Sequence, residues 1–174
     1  MKKFICVIMI ILMCLSISSC DPGQYDIDRE ELNDVVSVEL INYDNPEQKK
    51  FSSWVPDHFR KLKPIDLEKC EVLETLPEDM ITDFVDYFSE REILNKYYTY
   101  NSPKDICIKL NYSDDSFLIL WADYENESFR GYVGEYTSEG KVLSFWGSFC
   151  ALSDYEYLVE NYFDCKLKND PDDL

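Results

Sequence analysis

The runs DICIKLNY (105–112), FLILWADY (117–124), FRGYVGEY (129–136) and KVLSFWGSF (141–149) begin at twelve-residue intervals and are separated by SDDS, ENES and TSEG. Val, Ile, Leu, Phe, Tyr and Trp dominate the runs, while Ser, Asp, Asn, Glu and Gly fill the gaps, the composition of strands joined by tight turns. Four-residue gaps suit hairpins and are too short for the dozen residues that a parallel crossover needs. The spacing therefore predicts a four-stranded antiparallel meander.

Outward from the meander the period changes. Ser153 and Glu156 form a capping box, and Tyr155, Leu158, Val159, Tyr162 and Phe163 recur at helical spacing, which predicts a closing helix. Upstream, Thr75-Leu76-Pro77-Glu78 is a second such box with proline in the first turn. Met80, Ile81, Phe84, Val85 and Phe88 then make one apolar face, with Asp79, Asp83, Asp86 and Glu90 off it. Cys70 to Thr75 reads as a short strand. VVSVELINY (35–43) reads as a longer one, with Val36, Val38 and Leu40 on one side. Between them, Pro46, Pro56 and Pro64 punctuate a stretch whose Phe51–Trp54 centre is either a strand or an irregular excursion. The expected fold is α+β: residues 35–167 form a two-layer domain of mainly antiparallel sheet with two helices on one face, and 168–174 an acidic tail.

Composition narrows the function. The chain has 174 residues, 45% apolar and 15% aromatic, with 17 basic against 35 acidic residues. That is core enough for one domain, and a net charge of −18 disfavours nucleic acid and anionic headgroups as partners.

The N-terminus carries the most specific motif. Met1-Lys2-Lys3 is a short basic segment, and Phe4 to Leu15 an apolar stretch well short of the ~20 residues of a membrane span. It runs through Ser16 into Ile17-Ser18-Ser19-Cys20, which resembles the lipobox of bacterial lipoproteins, with Ile17 for the more usual Leu and Ser19 for Gly or Ala. Met13 before Cys14 does not fit that pattern. The resemblance implies a signal peptide at 1–19, lipidation of Cys20, and a mature protein held to the cell membrane, facing outside the cytoplasm. An ordinary secretory signal or an uncleaved anchor is the competing reading. Loss of Lys2 and Lys3 with the leader takes the basic residues from 17 to 15 and the net charge from −18 to −20. Residues 20–34 are polar and read as the lipidated cysteine and its tether. The rest of the chain is similar in layout to small bacterial lipoproteins and carries no mark of a named family.

Four groups of residues bear on chemistry. Cys70, Cys107, Cys150 and Cys165 are an even set in an exported chain. A helix about 16 Å long separates Cys150 from Cys165, and meander order separates Cys107 from Cys150, so the full pairing that fits is Cys70 with Cys150 and Cys107 with Cys165. Four reduced thiols used as small core residues remain the alternative. The sole histidine, His58, stands beside Asp57 with no serine elbow or cysteine motif to serve. Asp123, Glu125 and Glu127 alternate like a calcium loop, but Ser128 and Gly134 replace its turn glycine and bidentate glutamate. No catalytic residue, metal site or cofactor is assigned. Tyr97, Tyr98 and Tyr100 are a candidate binding patch, whereas Trp121, Tyr132, Tyr136 and Trp146 lie on meander strands and suit the core.

These readings point to a membrane-anchored extracytoplasmic module that binds an envelope protein or glycan without chemistry of its own. The alternative is a small envelope hydrolase using paired carboxylates, which demands a cleft holding two carboxylates, one with a raised pKa.

Overall fold

A computed structural model describes residues 24–27, 29–44, 62–94, 103, 105–123, 130–149 and 151–165. The meander is its centre: β5 (Asp105–Tyr112), β6 (Phe117–Asp123), β7 (Arg130–Tyr136) and β8 (Val142–Phe149) pair consecutively and antiparallel. Around them lie β1 (Gln24–Asp26), β2 (Val35–Tyr43), β3 (Cys70–Thr75) and β4 (Glu92–Leu94). The eight strands are ordered β1-β4-β8-β7-β6-β5-β2-β3. Helices α1 (Glu78–Ser89) and α2 (Leu152–Tyr162) cover one face, giving the α+β arrangement expected from the sequence.

Alternation along the strands builds two cores. On the helix side, Val38 and Leu40 of β2, Ile108 and Leu110 of β5, and Leu118 and Leu120 of β6 meet Phe84 and Phe88 of α1 and Tyr155 and Leu158 of α2. The helices are tied at the surface, where Tyr162 Oη donates to Asp83 Oδ2 at 2.8 Å and Tyr87 stacks on Tyr157 at 4.4 Å. The opposite face is apolar as well. Ile41, Cys107, Ile119, Trp121, Tyr132 and Tyr136 form a second buried cluster under Leu62 and Ile65. A strap at 62–66 is fastened there: Ile65 N donates to the Gly140 carbonyl at 2.8 Å, and Asp66 N donates to Tyr43 Oη at 3.2 Å. FLILWA (117–122) displays the reason, since both of its alternating sets are apolar.

Several expectations are corrected. The tether read at 20–34 is shorter, because Gln24–Asp26 pairs with β4 and a 3-10 turn at Arg29–Leu32 follows. Ile27 and Leu32 are buried in the helix-side core, which a tether would leave in water. The domain thus includes residues from Gln24 on, ahead of the Val35 start. Val36 is 56% exposed, because a register shift between Val35 and Ser37 hands the inward position to Val35. Neither capping box forms: Pro77 and Ala151 are the N-caps, without side-chain hydrogen bonds, so Ser153 lies inside the first turn of α2. The Phe51–Trp54 segment, the tail at 168–174 and the leader at 1–19 lie outside the described residues.

Candidate functional site

At the β5–β6 turn end of the helix side, beyond the two helices, the sheet holds a cleft of about 520 Å³. Its floor is strand: Tyr112 closes β5, Glu135 lies on β7, and Ser144 and Trp146 lie on β8. Its walls are the turn residues Ser113, Asp114 and Ser116, with Glu31 and Asp34 from the chain entering β2. Ser113 N donates to the Asp34 carbonyl at 3.0 Å and joins the two walls.

The polar groups are held in place. Glu135 faces Ser144 across the β7–β8 ladder, and Ser144 Oγ donates to Glu135 Oε2 at 2.6 Å. Trp146 Nε1 donates to the same oxygen at 3.4 Å, so the carboxylate and the indole are fixed relative to one another. Asp114 Oδ1 accepts from the hydroxyl and the backbone N–H of Ser116, and these bonds hold its carboxyl below the usual carboxylate range. Burial pushes the Tyr112 phenol well above its ordinary 10, and Glu135, Glu31, Asp114 and Asp34 add to the rise. Tyr112 therefore keeps its proton at neutral pH and can donate a hydrogen bond. Four carboxylic side chains, a protonated phenol, three hydroxyls and an indole line the space, and among the described lining residues none is basic. Such a lining accepts hydrogen bonds, attracts positive charge and offers aromatic faces to a cation.

The cysteines take another arrangement than the pairing drawn from spacing. Cys107 is fully buried on the strap side of the sheet, whereas Cys165 packs on the helix-side core. The sheet lies between them, and Cys70, Cys107 and Cys165 are thiols. Cys150 lies outside the described residues, and Cys70, being a thiol, is not bridged to it. Burial pushes the Cys70 and Cys165 thiols up, the direction opposite to an activated nucleophile.

Cys20 with its lipobox, the Tyr97, Tyr98 and Tyr100 patch, His58, and Glu125 and Glu127 also lie outside the described residues. Among the described residues no three His, Cys, Asp or Glu side chains gather closely enough for a metal ion. Trp121, Tyr132 and Tyr136 are buried in the second cluster, while Trp146 reaches the cleft. Sequence reading misses the cleft because its lining comes from four separated segments; the polar turn at Asp114 and the lone Trp146 are its only marks. No family model matches the chain, and neither a curated protein nor a solved structure matches it.

Proposed function

We propose that the chain is a lipid-anchored protein of the cell membrane, facing outside the cytoplasm, whose domain works by binding, and that the cleft receives a small ligand bearing a positive charge. The lipobox Ile17-Ser18-Ser19-Cys20 supports the anchor. The observation that carries the binding role is the cleft itself, where the Glu135 carboxylate is pinned between Ser144 and Trp146 beside the Tyr112 phenol.

Two tests address the two halves. Cys20→Ala in the native host should leave an unlipidated precursor that keeps its leader; a variant with normal mature mass and membrane retention would refute the anchor. For the cleft, arginine amide titrated into the labelled full-length chain should shift the Trp146 indole N–H resonance. Glu135→Gln should weaken that binding about two- to fivefold, as loss of one partly screened charge pair predicts. An indole signal that stays still up to about 10 mM probe, the affinity of the weakest useful contact, would remove the cleft as the site.

A further inference from the structure

Among the described residues the sheet ends at β3, which pairs with β2 on its inner side only. Such an edge presents a row of backbone donors and acceptors, and native proteins ordinarily blunt or cover it. Here Val72 is 51% and Leu73 46% exposed in the middle of the strand. Val72 stands opposite Ile41, and Leu73 is the extra residue of a bulge where the register shifts between Leu40 and Ile41. Two exposed apolar side chains therefore lie beside backbone that no described strand pairs.

Charge says what kind of chain fits there. Glu68 and Glu71 are exposed ahead of the apolar pair, and Glu74 follows it, accepting from Asp164 N at 3.2 Å. Lys69, the nearby cation, is bridged to Asp66 at 3.2 Å. A second copy is a poor occupant: antiparallel pairing of CEVLET with itself sets Glu71 opposite Glu74 of the other copy, and like charges directly opposite destabilise a sheet. The complement of an apolar pair between carboxylates is an extended segment with apolar residues between basic ones.

We propose that β3 is a docking edge that takes a short basic segment of a protein partner by strand addition. Backbone hydrogen bonds extend the sheet, Val72 and Leu73 contact the partner's apolar residues, and Glu71 and Glu68 meet its lysines or arginines. The bulge at Leu73 limits the added strand to a few residues.

The probe is the capped peptide Lys-Val-Lys-Val-Lys-Val-Lys, added to the full-length chain and to its Glu135→Gln variant, so that capture in the cleft is separated from docking at the edge. Binding should slow amide hydrogen exchange within residues 70–75 in both proteins. N-methylation of alternate peptide nitrogens on the pairing side should weaken binding at least about tenfold, the loss of one or two backbone hydrogen bonds. Val72→Lys should do the same, with an unchanged circular dichroism spectrum showing that the exposed site leaves the fold intact. Unaltered exchange at 70–75, or binding indifferent to N-methylation, would overturn the proposal and leave only nonspecific attraction to an acidic protein. Peptide-independent dimerisation abolished by Val72→Lys would overturn it in favour of a second copy.

Discussion

Trp121→Ala is expected to lower the free energy of unfolding by about 3–5 kcal/mol, the range for removing a large aromatic from a closed core. Trp121 has no exposed surface. Its indole stacks on Tyr132 with centroids 5.6 Å apart and lies 6.4 Å from the Phe145 ring. It is the largest fully buried side chain of the strap-side cluster, and Cys107 and Tyr132 are its neighbours in register on β5 and β7. Those partners sit on paired strands and cannot close over the space it would vacate, so the cavity penalty adds to lost burial. Domains of this size hold about 5–15 kcal/mol in all, so the variant should unfold at a markedly lower urea midpoint with an unchanged slope. A midpoint within experimental error of the parent would show that the second cluster contributes little and that the helix-side core alone sustains the fold.

Gly140→Ala is the other large effect, about 2–4 kcal/mol, and it acts through the backbone. Gly140 has φ +75°, a conformation costly for a residue with a side chain, and a Cβ there would lie 2.2 Å from the Ile65 carbonyl oxygen. Relief of that overlap separates the β7–β8 turn from the strap and breaks the Ile65 N to Gly140 O bond. The readout is local as well as global: the Ile65 amide should exchange much faster with solvent, whereas amides of α1 and α2 should follow only the drop in overall stability. Gly134→Ala makes the contrast. There the closest atom is the Leu62 Cδ2 methyl at 2.8 Å, the end of a side chain that can rotate, so its cost should be the smaller of the two. If both alanine variants behaved alike, the strap would not be fastened at Gly140.

What could be read from sequence followed from how locally each feature is written. The meander was legible because every turn between its strands carries Ser, Asp, Glu or Gly and every strand carries β-branched or aromatic residues within eight or nine positions. Helix α1 declared itself through Phe84, Val85 and Phe88, all of them buried. Strands β1 and β4 could not, since three residues are too few to show a period, and they are strands through their neighbours: β1 pairs with β4, and β4 lies between β1 and β8. The helix starts were misread for a related reason: Thr75 and Ser153 are good caps by type, but the turn geometry that decides capping is set by where the preceding strands end. The cleft is the extreme case. Residues 31, 112, 135 and 146 share nothing along the chain, and only the order of β5, β7 and β8 in the sheet brings them to one place.

The position of β1 has a mechanical side. With the chain held at Cys20, as proposed, only Asp21, Pro22 and Gly23 separate the point of attachment from an edge strand joined to the sheet by three residue pairs. Traction between membrane and domain therefore enters through a short seam at the edge of the sheet. Peeled free, residues 24–34 would add roughly 36–40 Å of reach. The load would then arrive at β2, which is gripped by β3 on one side and β5 on the other. That same peeling would carry away Glu31 and Asp34, and with them one wall of the cleft.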